Sequence, residues 1–197
     1  MHLVEEQKKK KKEKACQLAS VRPDFLLMSS DSGRCIHDCA GMSEEPRDVF
    51  KLSRDWLSVQ EVVDTVSSSS CGAVSVFMGT TREDEVDGRK VVGLEYEAYE
   101  PMAQSEFSRL CADIRARWPA VLHICVHHRL GWVKVGEASV VMAISSPHRH
   151  DGQEAVQHCI SQLKAAVPIW KKEVYDTQEA SWKENAECSW SERAARN

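Results

Sequence analysis

Residues 91–118 read VVGLEYEAYEPMAQSEFSRLCADIRARW, and a change of period inside this stretch decides the fold class. Leu94, Tyr96 and Ala98 alternate with Glu95 and Glu97, the period of two expected of a half-buried strand. Pro101 suits the first turn of a helix, where its missing N–H costs nothing. Behind it Ala103, Phe107, Leu110, Cys111, Ile114 and Trp118 recur at helical spacing, so one face of that helix lies on a sheet. A strand running straight into a one-faced helix implies layers of sheet and helix.

Working towards the N-terminus, Glu83–Lys90 is a charged loop closed by Asp87-Gly88, a tight-turn signal. GAVSVFMGT, residues 72–80, is strand-like, and its nearness predicts pairing with the strand at 91–99. Ser67–Ser70 is a polar linker. Ser58 caps a short helix through Val62, Val63 and Val66, with Glu61 three residues on completing a capping box. Phe50 and Leu52 alternate with polar neighbours in a short strand. Towards the C-terminus, Val121–His128 and Ala138–Ser146 are strands joined through Leu130-Gly131 and Gly136. From about Asp151 a second amphipathic helix buries Val156, Cys159, Ile160, Leu163 and Val167, and Pro168 ends it. Ile169–Tyr175 is a further strand, and a polar segment through Trp182 and Trp190 closes the domain. The expected class is α+β, with antiparallel strands and two main amphipathic helices.

Composition excludes several functions. The chain has 197 residues, 42% hydrophobic and 28% charged, with a formal charge of −4. That is ordinary globular usage, and it gives no footprint of a nucleic-acid binder. No apolar stretch approaches the length of a spanning helix, and Met1 is followed by charge rather than by a secretory apolar region. A cytosolic protein is expected. Residues 1–47 lack apolar periodicity and are expected to be a disordered tail; residues 48–190 form the domain and 191–197 a short C-terminal tail. The Lys8–Lys12 run is either a solvated segment or a nucleic-acid patch. Cys35-Ile-His-Asp-Cys39 has short metal-like spacing but no second ligand pair, so no metal is expected. The other cysteines are scattered through apolar patterns and read as small hydrophobes. Neither GxGxxG nor GxxxxGK(S/T) occurs, so no nucleotide loop is expected.

Basic residues gather at the ends of these elements: Arg82, His128-Arg129, His148-Arg149, Lys164 and Lys171-Lys172. If they converge they form an anion pocket for phosphate or carboxylate. Lys164 follows Ile160 by four residues and precedes Val167 by three, so it borders the apolar stripe. Partly desolvated, such an amine serves as acid or base near neutrality; otherwise it snorkels to water. Lys171 shares a strand face with Ile169 and Glu173, whereas Lys172 points the other way with Trp170 and Val174. His128 and His148 are candidate general bases or merely solvated histidines.

Several segments together resemble the large, catalytic subunit of molybdopterin synthase: GAVSVFMGTTR (72–82), LEYEAYEPMA (94–103), HHRLGWVKVGE (127–137), SSPHRHD (145–151) and LKAAVPIWKKE (163–173), ending with Trp182. The resemblance implies an α/β-hammerhead fold and a central homodimer within a heterotetramer. It also implies a ubiquitin-like small subunit, whose Gly-Gly thiocarboxylate delivers sulfur to cyclic pyranopterin monophosphate, with no cofactor. By the same resemblance Lys164 and Lys171 would be catalytic. Lys164 would stabilise charge at the thiocarboxylate carbonyl, and Lys171 would move a proton on the pterin side chain. Arg82, His148 and Arg149 would hold the phosphate and pterin, Phe77 would shape the wall, and Lys172 and Glu173 complete the matched motif. The chain departs from the pattern after Trp182, where relatives carry an arginine and the next one here is Arg193. The alternative function is a non-catalytic scaffold that binds a ubiquitin-like partner.

Overall fold

The computed structural model describes residues 44–177 and 179–183. The Lys8–Lys12 run, the Cys35–Cys39 cluster, Trp190 and Arg193 lie outside these residues, as do both expected tails apart from residues 44–47. Nine strands and three helices follow in the order β1 (Asp48–Ser53), α1 (Val59–Val66), β2 (Ala73–Thr80), β3 (Glu85–Val86), β4 (Arg89–Ala98), α2 (Glu100–Arg117), β5 (Ile124–Arg129), β6 (Gly131–Lys134), β7 (Ala138–Ser146), α3 (Arg149–Ala166), β8 (Ile169–Tyr175) and β9 (Ala180–Lys183) among the described residues.

One sheet has the order β1-β5-β7-β2. Its β5 and β7 are buried on both faces, because α2 and α3 cover one side and α1 the other. On the larger side Phe107, Leu110 and Ile114 of α2 and Val156, Cys159 and Leu163 of α3 meet Ile124, Val126, Met142 and Ile144. On the smaller side Val62 and Val66 of α1 meet Cys125, Val141 and Ala143. The alternation within β5 and β7 thus divides one strand between two cores. The outer row of the edge strand β2, Val74, Val76 and Met78, is exposed.

The second sheet has the order β3-β4-β8-β9, with β6 also pairing to β4. Because β4 runs directly into α2 and β8 leaves α3 directly, this sheet sits at one end of the helix pair. The Tyr99 N–H donates to the Pro168 carbonyl at 3.2 Å and ties those two junctions together.

Most sequence expectations hold locally. Pro101 lies in the first turn of α2, and α3 ends at a Val167 cap immediately before Pro168. Asp87 and Gly88 both take positive φ, 53° and 75°, in the two-residue turn between β3 and β4. The Ser58 hydroxyl accepts from the Glu61 N–H at 3.2 Å. The Glu61 carboxylate turns instead to Lys51 at 2.8 Å, so only half of the capping box forms.

Three expectations change. β4 does not pair with β2: β2 pairs with β7, and β4 with β3, β6 and β8. The charged loop folds back as its own small hairpin with β4, which leaves the β2 edge for a distant partner. The strands are not all antiparallel, because β1 runs parallel to β5. Finally, α3 begins at Arg149, slightly before Asp151, so the His148-Arg149 pair belongs to a helix start rather than to a strand end.

At Gly152 the helix α3 lies close against the sheet. A Cβ there would lie 2.7 Å from the Ser146 Oγ and 2.8 Å from the Ser75 Oγ. The small side chains on β2 and β7 match the missing one on the helix. Gly152→Leu is therefore expected to destabilise the fold by about 1–3 kcal/mol through overpacking, read as a lowered urea midpoint at unchanged slope. An unchanged midpoint would mean that the helix lifts away without cost.

Candidate active site

A cavity of about 420 Å³ opens where the end of α3, the ends of β2, β5 and β7, and one face of the second sheet meet. This is the size range of small-ligand sites. On two strands its residues follow alternation: β8 presents Ile169, Lys171 and Glu173, and β4 presents Leu94 and Tyr96, whereas the end of β2 lines it with the consecutive residues Phe77, Met78, Gly79 and Thr80. The last turns of α3 add Ile160, Leu163 and Lys164. Arg82 stands on the rim beyond β2.

Lys164 and Lys171 thus come to one cavity from a helix and from a separate strand. Lys164 remains exposed at the end of the α3 stripe, closer to the snorkelling arrangement than to a desolvated one, while Lys171 is half-buried. Arg82 is exposed too; its Nε donates to both carboxylate oxygens of Asp84, at 2.8 and 2.9 Å, a contact that does not use its terminal nitrogens. The Glu173 carboxylate accepts from the Tyr175 hydroxyl at 2.9 Å. Phe77 packs against the main core and closes the apolar wall.

Three expected site residues lie elsewhere. Lys172 is on the opposite face of β8, with its Nζ 3.4 Å from Glu95 and 5.9 Å from the Trp182 ring. His148 and Arg149 are exposed at the N-terminal end of α3, whereas Lys164 is near its C-terminal end. The helical rise separates Arg149 from Lys164 by about 22 Å. Within one chain the two ends of α3 do not meet on one small molecule.

The floor of the cavity joins His128, a candidate from the sequence, to polar residues that sequence reasoning did not select. Thr81 and Ser139 are buried, with their hydroxyls 3.1 Å apart. Tyr96 faces Ser139, and burial raises its phenol above the usual range. His128, only 6% exposed, packs edge-on against Tyr96 with ring centroids 4.9 Å apart. Burial pushes its imidazole down to about 4, so it is neutral near pH 7. The strand alternation of Leu94 and Tyr96 was a usable signal for the tyrosine. Ser139 carried no comparable sign. Among the described residues no cluster of three or more His, Cys, Asp or Glu could hold a metal ion, and no helix is long and apolar enough to cross a membrane.

The MoaE protein family model matches residues 52–166, a span that contains every cavity element except β8. The molybdopterin synthase catalytic subunit of Taeniopygia guttata is 56% identical over 147 residues, covering 75% of this chain and 94% of that protein. The Homo sapiens subunit of the same name is 51% identical over 153 residues, covering 78% and 80%. The crystal structure of molybdopterin synthase from Staphylococcus aureus has a TM-score of 0.65 at 33% identity, over 69% of this chain and 97% of that one. Subunits 1 and 2 of the molybdopterin-converting factor of Helicobacter pylori were solved as a complex; a chain of it shares the fold at a TM-score of 0.58 and 21% identity, over 71% and 92%. The expected α+β class agrees with these neighbours. With more than half its length inside the family model and about half its aligned positions shared with these relatives, the chain belongs to the MoaE family, that of the molybdopterin synthase catalytic subunit.

Proposed function

We propose that the cavity is a sulfur-transfer site. It would take the C-terminal Gly-Gly thiocarboxylate of a ubiquitin-like small subunit and cyclic pyranopterin monophosphate, and return the dithiolene of molybdopterin. The observation that carries this reading is the convergence of Lys164 and Lys171, with Arg82 on the rim, around one opening. In each of two rounds, the thiocarboxylate sulfur would bond to a pterin side-chain carbon as a C–O bond of that carbon breaks and its oxygen leaves. Water would then cleave the acyl C–S bond, leaving sulfur on the pterin and a carboxylate on the small subunit. Lys164 would stabilise the negative charge that develops at the acyl oxygen. Lys171 would exchange a proton with the substrate side chain as the carbon–sulfur bond forms. Arg82 would face the phosphate with its terminal nitrogens. Phe77 and Leu94 would give the flat heterocycle an apolar wall.

His148 and Arg149 fit this reading only from a second copy. In a central homodimer they would reach the substrate held beside the other chain's Lys164; within one chain, α3 holds them apart. Lys172 would support the sheet through Glu95 rather than touch substrate, and Glu173 would orient the strand face that bears Lys171. The exposed row Val74, Val76 and Met78 supports an assembled form. Residues 48–190 would be the synthase domain, acting in the cytosol without a bound cofactor.

The test supplies the full chain with the thiocarboxylated small subunit and the cyclic precursor, then follows the pterin by mass spectrometry. A product that has gained two sulfurs is expected. A pterin that binds but never gains sulfur would return the scaffold reading to first place.

A further inference from the structure

His128 is a buried, neutral imidazole with one nitrogen that the protein leaves to the cavity. It lies on the helix-facing side of β5 with Ile124 and Val126, opposite Val140 of β7, and forms part of the cavity floor. Its Nδ1 is 2.8 Å from the carbonyl oxygen of Arg129. A carbonyl has no proton to give, so Nδ1 must carry the hydrogen and Nε2 must hold a bare lone pair. Among the described residues no donor reaches Nε2. That nitrogen is not sealed in either: among the described residues the sealed side-chain atoms without a partner are the Nε atoms of Arg115 and Arg129. With His128 among the lining residues, the nitrogen opens onto the cavity.

The ring is also held against rotation. Its hydrogen bond to Arg129 fixes one edge, and Tyr96 packs against it at an interplanar angle of 77°. Tyr96 is in turn backed by Ser139 and Thr81. A core histidine kept only for packing has no need of an oriented acceptor. Leaving such an acceptor unsatisfied is costly unless a ligand or water fills the place. The charged groups around the cavity are three cations, Arg82, Lys164 and Lys171, and two carboxylates, Asp84 and Glu173, which already pair with Arg82 and Lys183. Aromatic heterocycles such as pterins also carry N–H groups, which cations cannot receive.

We propose that the His128 Nε2 accepts a hydrogen bond from an N–H of the bound heterocycle, so that His128 orients the ring while the cations hold its phosphate. This rests on the proposed substrate class. Because the imidazole stays neutral, it reads the heterocycle as an acceptor and does not act as an acid.

The test measures binding of cyclic pyranopterin monophosphate to the full chain by calorimetry, without small subunit, for the natural protein, His128→Phe and His128→Gln. Phenylalanine keeps the ring volume and removes the acceptor, whereas glutamine can return an oxygen near the Nε2 position. Phenylalanine is expected to weaken binding about tenfold or more, and glutamine to recover most of that loss. Affinity unchanged in the phenylalanine variant would overturn the proposal, as would glutamine as weak as phenylalanine. If the variants fold poorly, ¹⁵N NMR of the natural protein decides: the unprotonated ring nitrogen of His128 should shift when ligand is added, and a stationary resonance overturns the assignment. Failure of the natural protein to bind the pterin phosphate at all would instead defeat the proposed function itself.

Discussion

Lys164→Ala is expected to slow sulfur incorporation by about 10²–10⁴-fold while leaving the folded structure intact. The two halves of that expectation come from one placement. Lys164 is exposed at the end of α3, so truncating it opens no hole in the core below; Ile160 and Leu163 remain packed. Its amine nevertheless borders the cavity, where an acyl oxygen taking on charge would lose its counter-charge. Lys171→Ala should have a comparable effect, because β8 turns that side chain to the same opening. Lys172→Ala should cost less than about tenfold, since that side chain faces away from the cavity and its loss removes a partly exposed pair with Glu95 and a contact with the Trp182 ring. Single-turnover assays with pre-formed thiocarboxylate, followed by mass spectrometry, compare all three. Equal losses at Lys171 and Lys172 would show that the strand face is not what decides function, and full activity in Lys164→Ala would remove the amine from the mechanism.

The architecture was legible where a local rule had no competitor. The switch from Tyr96 and Ala98 to Phe107 and Ile114 marks one strand and one helix, and Pro101 and Pro168 mark helix boundaries that the structure keeps. Strand pairing was not legible. Neighbouring strands such as 73–80 and 89–98 invite a hairpin, yet β2 gains more by completing a sheet that α3 already covers. The choice depends on burial between residues far apart in the chain, which periodicity does not record. The cavity divides in the same way. The opposite facing of Lys171 and Lys172 follows from alternation alone. That Tyr96, Ser139 and His128 share a floor depends on three strand ends from two sheets. His148 and Arg149 show the limit of a motif: it groups residues along the sequence, but does not say that they meet at one place in the fold. His128 was visible as a titratable strand-end residue, but only its bond to the Arg129 carbonyl shows which nitrogen remains available.

Phe107→Ala should destabilise the chain by about 3–5 kcal/mol, a large part of the roughly 5–15 kcal/mol that holds a typical domain together. Phe107 is 1% exposed in the middle of α2. Its ring stacks on Phe50 of β1, with centroids 4.8 Å apart and planes 15° from parallel. Truncation would therefore remove buried apolar surface, open a cavity, and take away an aromatic partner. The surroundings have little freedom to collapse into the space. Trp118 at the end of α2 donates to Glu154 of α3 at 2.9 Å, and His158 of α3 meets Asp113 at 2.7 Å, so the helix pair is pinned beyond the lost ring. Arg115 grips Asp48 with both terminal nitrogens, at 2.8 and 2.6 Å, which holds β1 as well. Urea titration should show the midpoint fall with little change in slope. At a temperature where the variant is still folded, sulfur transfer should stay within a few-fold of the natural rate, because the Tyr99 N–H to Pro168 carbonyl bond still ties the β4–α2 and α3–β8 junctions beside the cavity. A loss below about 1 kcal/mol would mean that α2 closes over the gap, and the contacts at Trp118, His158 and Arg115 would then have to be weaker than their geometry requires.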